Sequence, residues 1–305
     1  MNVLQLNLRN CHLVSIGPGA FEYLPNLEKI DFLGNTKLLQ PFNLYQTPFL
    51  ISIQSINSKT FRQFGLSKTD IFYSPYFIML PFWWNLEALD LSYNAFNLLG
   101  HITDILAWNF FPPMRNLKSI NLKASYISSI HFEAFKPLQN IQIIDLSQNN
   151  LMAVPMGVLQ KTVKHLDMGY QNGPFNLHPN AFNASHSIQK LILSGNRFHS
   201  VAREALFGLF QAEELYMSDC PLLSSIEDGA FLSVPNLKKL DLSHNTELVG
   251  LTNGTLIGLA NLEELNLAFS SFAFSNDTSG MIIFRLSAYH ASSSLCALYF
   301  NSNMH

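Results

Sequence analysis

The chain has 305 residues, of which 48% are hydrophobic and 13% charged, with a formal net charge of −3. So much apolar surface can bury a core and excludes intrinsic disorder, while the near-neutral balance excludes a general attraction to nucleic acid or to an anionic membrane. Three cysteines are too few for a disulfide scaffold, no stretch reaches the roughly 18 consecutive apolar residues that span a bilayer, and no basic segment after Met1 leads into a signal-like apolar run.

A nine-residue frame then repeats along the chain, with starts at Val3, Leu27, Phe61, Leu86, Leu117, Ile141, Val163, Ile188, Ala212, Leu237, Leu262 and Leu295. Its clearest copies are Leu237-Lys-Lys-Leu240-Asp-Leu242-Ser-His-Asn245 and Leu262-Glu-Glu-Leu265-Asn-Leu267-Ala-Phe-Ser270, both of the form L-x-x-L-x-L-x-x-N. Most spacings are 22 to 25 residues, and the units that open at Leu27, Leu86 and Leu262 are longer, at 34, 31 and 33. The L-x-L alternation has period two, which predicts a short strand with one buried face. One such strand has nothing to pair with, so stacked copies pair edge to edge and pool their leucines.

At the ninth position the chain leaves the strand, and a small polar side chain there can satisfy backbone groups from inside. In chain order that slot holds Cys11, Asn35, Thr69, Asn94, Ser125, Asn149, Asn196, Cys220, Asn245, Ser270 and Asn303, with Gln171-Asn172 straddling it in the unit from Val163. Ten or eleven residues further on stand Phe21, Met79, Phe135, Leu159, Leu206, Phe231 and Leu256, large apolar groups expected to fill the far side of the core. Asparagine closes many units, as at Asn26, Asn116, Asn140, Asn236 and Asn261. The fold class expected is an α/β repeat solenoid, with a concave parallel β-sheet and an irregular or short-helical convex side. It would hold about eleven full repeats plus a truncated one, as a single array over 1–305.

Units such as Leu13-Val-Ser-Ile16-Gly-Pro-Gly-Ala20-Phe21-Glu-Tyr-Leu24-Pro25-Asn26 resemble the 24-residue "typical" leucine-rich repeat of extracellular proteins. With its uneven repeat lengths, the array is similar to part of a Toll-like receptor ectodomain, a leucine-rich-repeat horseshoe. The resemblance implies a secreted or membrane-anchored receptor on the extracellular face, which binds a protein or microbial-pattern ligand and pairs with a second copy as a homodimer. Three departures stand beside it. There is no membrane span or signalling domain, there are no capping cysteine clusters, and the chain begins and ends inside repeats. Uncapped ends would leave leucines and a strand edge facing water, so a fragment lacking both caps is expected.

Repeat arrays usually bind on the strand-bearing wall. Tyr93, His165, Tyr170, Tyr216, His244, Phe269 and Tyr299 are the aromatic and imidazole groups placed there. They are candidate ligand contacts; alternatively they stack on neighbouring strands and stiffen the sheet. Glu213-Glu214, Lys238-Lys239 and Glu263-Glu264 form an alternating stripe on consecutive strands, expected to support register and alternatively to dock a partner. At position five, Asn7, Asp31, Asp90, Asn121, Asp145, Asp167, Asp241 and Asn266 belong to the repeat and are expected to be structural. Cys11 and Cys220 are expected as buried thiols, and Cys296 as exposed. Sequons stand at Asn183, Asn253 and Asn276, all outside the strand positions; about four would arise by chance, so their number does not argue for secretion.

The stretches Leu39 to Thr60 and Gly100 to Pro113 exceed a regular coil. They protrude as loops, or the first hides a decayed repeat. Trp83-Trp84 is read as core or cap. There is no C-x-x-C, H-E-x-x-H, G-x-S-x-G or phosphate loop, and His165 and Asp167 have no nucleophile beside them. No cofactor, metal site or catalytic residue is expected, nor membrane insertion by this segment. The rivals to a receptor module are a secreted matrix or adhesion protein and an intracellular scaffold.

Overall fold

The computed structural model describes residues 2–17, 19–38, 63–65, 85–94, 105–106, 111–252, 254–270 and 297–299. It forms two compact units, residues 1–149 and 150–305. In the first, a parallel sheet runs in the order β1 (Gln5–Asn7), β2 (Lys29–Asp31), β3 (Gln63–Gly65), β4 (Ala88–Asp90), β6 (Ser119–Asn121) and β8 (Ile143–Asp145). A separate ladder pairs β5 (Ile105–Leu106) with β7 (Ser129–Ile130). In the second unit, the sheet runs β9 (His165–Asp167), β10 (Lys190–Ile192), β12 (Glu214–Tyr216), β14 (Lys239–Asp241), β15 (Glu264–Asn266) and β16 (Ala297–Tyr299). Its own second ladder pairs β11 (Ser200–Val201) with β13 (Ser225–Ile226).

Each sheet strand is three residues long and opens two residues after a frame start, so the fourth position of every unit is its central residue. Ile30, Leu89, Ile120 and Ile144 in one unit, and Leu166, Leu191, Leu215, Leu240 and Leu265 in the other, are buried at that position. Their flanking residues are half-buried or exposed, the alternation a one-sided sheet demands. Phe21, Phe135, Phe182, Leu206 and Phe231 are buried on the return side. Coils approach to backbone contact there: Gly208, at φ +105°, lies against the Phe182 carbonyl where a Cβ has no room.

The return side takes the irregular form of the two expected. Among the described residues it carries one 3-10 turn, Met156–Val158, and otherwise turns and the two short ladders. In the regular coils of about 24 residues, the described return segments are used up by turns and by the inward aromatic, and none of them carries a full helix. Val3, Leu6 and Leu8 in the first coil are only half-buried, because β1 is a sheet edge with one neighbour.

The ninth position pins coil to coil. Asn149 is fully buried. Its Nδ2 donates to the carbonyls of Leu146 and Ser147 in its own coil and of Leu122 in the preceding one, while Oδ1 accepts from the N–H groups of Ser125 and Ile127. Asn35, Asn196 and Asn245 repeat the pattern, and Asn94 donates to the carbonyls of Leu91 and Ser92. The blurred slot is filled by Gln171, whose amide bonds Met168, Gly169 and Leu151, while Asn172 points outward to Asn150. Cys220 fits the slot as a buried thiol whose Sγ reaches the carbonyls of Leu193 and Ser218. Cys11 does not: its thiol is exposed and reaches only the Arg9 carbonyl. The difference is one of cover: Asn35, Asn149, Asn196, Cys220 and Asn245 each reach a carbonyl of the preceding coil, and Cys11 reaches only its own.

Candidate recognition surface

The solvent side of the sheet is built from positions three and five of each nine-residue frame, and from position eight where the chain leaves the strand. Position five carries the carboxylates and amides. Each Oδ1 of Asn7, Asp31, Asp90, Asn121, Asp145, Asp167, Asp241 and Asn266 accepts the N–H two residues on, at 2.9–3.1 Å. These are Asx turns that end the strand. Their Oδ1 atoms are thereby committed to the backbone, and among the described residues no group of three or more His, Cys, Asp or Glu could hold a metal ion.

Position eight follows a rule that local composition hides. Asn10, Gly34, Tyr93, Ala124 and Gln148 in the first unit, and Tyr170, Gly195, Asp219, His244 and Phe269 in the second, all have φ between +51° and +77°. The cause is the coil itself. The N–H of position eight still bonds the next coil, as Tyr93 does to Lys123 and Tyr170 to Ser194, both at 2.7 Å. The chain must then reverse at once to aim position nine inward. That reversal needs the left-handed region, where a side chain with a Cβ costs roughly 1–2 kcal/mol. Glycine would be the cheap choice. Four of these positions instead carry exposed rings or an imidazole: Tyr93, Tyr170, His244 and Phe269.

The structure therefore sorts the sequence candidates. Tyr93 stands 46% exposed in the first unit. In the second, His244 and Phe269 stack at 4.5 Å between ring centroids, 16° from parallel. Tyr170 lies over Gly195 and donates its hydroxyl to Asp219 Oδ2 at 3.0 Å. Burial, the Asp219 hydrogen bond and the nearby Asp219, Cys220 and Asp167 push its phenol up. His165 is exposed at position three, in register with Lys190. Tyr216 is half-buried and engaged: it donates to Glu214 at 2.9 Å, with Lys190 Nζ 4.8 Å and Lys239 Nζ 5.8 Å from its ring centroid. Tyr216 is thereby tied into the charged stripe of its own sheet.

The charged stripe pairs across strands: Lys238 with Glu213, Lys239 with Glu264 and Lys190 with Glu214, each at 2.8 Å. Lys190 is the member that sequence reading missed, although it occupies the same third position one unit earlier. The Lys190 hydrogen bond holds the Glu214 carboxyl below its usual range, and Glu214 in turn raises Lys190. A second missed feature lies in the first unit, a shallow trough of about 340 Å³ lined by Arg9, Lys29, Asp31, Asp90 and Asp145 among others. It opens because Gly65 and Ala88 put no bulk on the sheet, and Arg9 closes one end on Asp31 at 2.6 Å.

Burial raises the Cys220 thiol to about 12, so it is inert at neutral pH. Asn183 is exposed on a return turn, and the serine of its sequon, Ser185, is buried with its hydroxyl on the Phe182 carbonyl at 2.6 Å. Asn253, Asn276, Cys296, Trp83-Trp84, Thr69, Met79, Asn303, the stretch 39–60 and most of 100–113 lie outside the described residues, as does the side chain of Tyr299.

The leucine-rich-repeat family profile matches residues 115–172 and 219–272. The chain is 28% identical to Tsukushi of Gallus gallus, over 62% of this chain and 55% of that protein. It is 27% identical to Toll-like receptor 3 of Bos taurus, over 62% of this chain and 22% of the receptor. It thus spans little more than half of the first relative and under a quarter of the second. The fold also matches the receptor chain of a TLR13–ssRNA13 complex, with a TM-score of 0.65 at 17% identity over 90% of this chain and 46% of that one. Its relatives are extracellular or secreted, and no helix among the described residues is long and apolar enough to cross a membrane. Arrays of this kind are non-catalytic binding modules. The chain carries leucine-rich repeats over residues 115–172 and 219–272, and is similar in sequence both to Toll-like receptors and to matrix proteins built of the same repeat.

Proposed function

We propose that the chain is a recognition module of Toll-like receptor type, which binds a protein or microbial-pattern ligand on the extracellular side through the solvent face of its sheet. The observation that carries this is the left-handed row. Tyr93, Tyr170, His244 and Phe269 hold exposed rings in a backbone conformation that glycine would adopt without cost. Core packing does not account for them, and backbone strain retained at exposed aromatic positions supports a surface role. Pairing with a second copy through the solenoid belongs to the same reading. So does use of the sequons at Asn183, Asn253 and Asn276.

Two measurements test it. Tyr93→Asn, His244→Asn and Phe269→Asn, combined, place a residue that tolerates this conformation at each turn, so stability holds or rises while capture from an array of protein and microbial-pattern ligands falls at least tenfold. Unchanged capture refutes the surface. An immunoblot before and after N-glycan removal tests the compartment. A band that drops supports the extracellular assignment, and one fixed at 34.4 kDa refutes it.

A matrix protein is the second reading. It is favoured by the larger share of Tsukushi that the chain spans, 55% against 22% of the receptor. Release of the endogenous protein into the medium, with none held in the membrane fraction, would select it.

A further inference from the structure

Within the second unit, Tyr170 differs from the other aromatics of its row. It leaves β9 at φ +55°, and its ring lies across the face of Gly195 in the next coil, where a Cβ would collide with it. Its hydroxyl is held 3.0 Å from Asp219 Oδ2, 49 residues and two coils away. The ring is therefore fixed at its backbone end and at its tip, yet Tyr170 remains 48% exposed. A ring held this way loses little freedom when it is covered.

The charged groups that act on its phenol are acidic. Asp219 holds the tip, and Asp167 stands at position five of the same coil with Oδ1 turned to the Gly169 N–H. Both carboxylates act on the phenol in the direction of negative potential, alongside burial and Cys220. Lys190, the cation on the next strand, is engaged elsewhere: Glu214 holds it at 2.8 Å, over the ring of Tyr216. Lys164 and His165 are the basic groups on the strand side of that coil, with His178 and His186 on its return side. An exposed aromatic face beside carboxylates attracts a cation through the ring quadrupole and through charge together.

We propose that Tyr170, with Asp219 and Asp167, is the docking point for one lysine or arginine side chain of a protein partner. The assignment rests on the recognition reading above and names the chemistry at one point of that surface. The occupant is part of a protein because the platform is an open ring on a sheet face. Such a ring gives a free small cation one wall, but gives an interface an anchor.

The test uses the full chain with its ten tyrosines carrying 13C-labelled rings, titrated with acetyl-Gly-Arg-Gly-amide, and with acetyl-Gly-Gln-Gly-amide as the uncharged control. The Tyr170 resonance is assigned by its loss in Tyr170→Phe. It moves with the arginine peptide and stays still with the glutamine peptide. Asp219→Asn keeps an acceptor for the hydroxyl but removes the charge, and it weakens arginine binding about fivefold. Equal shifts with both peptides, or an Asp219→Asn affinity equal to wild type, overturn the assignment. Should the peptide fail while ligand capture is still lost in the asparagine triple variant, the docking point is wrong and the recognition surface stands. Failure of both removes both.

Discussion

Replacing Asn149 by leucine isolates the force that pins one coil to the next. The side chain is fully buried and its Oδ1 is the acceptor for the N–H groups of Ser125 and Ile127, at 2.9 and 3.0 Å. Leucine keeps the branched four-heavy-atom skeleton and adds only methyl bulk, but both N–H groups lose their acceptor in a place water does not reach. Each orphaned buried donor costs about 1–3 kcal/mol, which puts the substitution at about 4 kcal/mol before the three carbonyls served by Nδ2 are considered. The comparison is Asn140→Ala, whose amide donates to the Arg115 carbonyl at 2.7 Å from an exposed position and whose loss water makes good, at under ~1 kcal/mol. Urea unfolding followed by far-UV circular dichroism reads both midpoints. Stacked repeats can unfold in parts, so native-state hydrogen exchange at Ser125 and Ile127 is measured beside it. An Asn149→Leu midpoint no lower than that of Asn140→Ala would refute the claim that buried backbone satisfaction, and not shape, holds position nine.

Gly195→Ala forces a Cβ into the left-handed region and against the Tyr170 ring, so it costs about 2 kcal/mol or more; thermal melting checks this, and alkaline titration finds the Tyr170 phenol returned toward its ordinary range. Glu214→Gln removes a half-exposed ion pair and costs under ~1 kcal/mol at neutral pH. Because Lys190 depresses the folded-state carboxyl, that stability exists above the unfolded pKa and is lost as pH falls through the folded one. The gap between variant and wild type therefore closes below about pH 4, and a gap that persists to pH 2 would contradict the pairing. Cys220, raised to about 12 and buried, labels with a thiol reagent only after urea is added, whereas Cys11 labels in native buffer. Fast native labelling of a Cys11→Ser, Cys296→Ser variant would sink that assignment.

Legibility followed sequence distance. Buried Leu240 and Leu265 at the strand centres were readable, because period two over six residues is a local signal and a one-faced strand can only stack. Position nine was readable for Asn245 by the same logic, and even Gln171 was near enough to be suspected. Cys11 was misread because its burial depends on a preceding coil, not on its own residue type. The Asx turns of Asp145 and its counterparts were open to local reading, since each bonds two residues ahead; their regularity was seen and their purpose missed. The left-handed row had a faint signal, Gly34, Gly195 and Asn10 at one frame position, which the aromatics around it obscured.

The amino-acid order alone determined the repeat, the face of each strand that is buried and the small polar plug at each turn, all set by neighbours within nine residues. Only the tertiary structure decided which side chains meet across coils: Lys190 with Glu214, His244 with Phe269, and Tyr170 laid over Gly195 to reach Asp219. Those partners stand 24 to 49 residues apart. Coil stacking sets their contact, and the same local sequence is compatible with any neighbour the stack supplies.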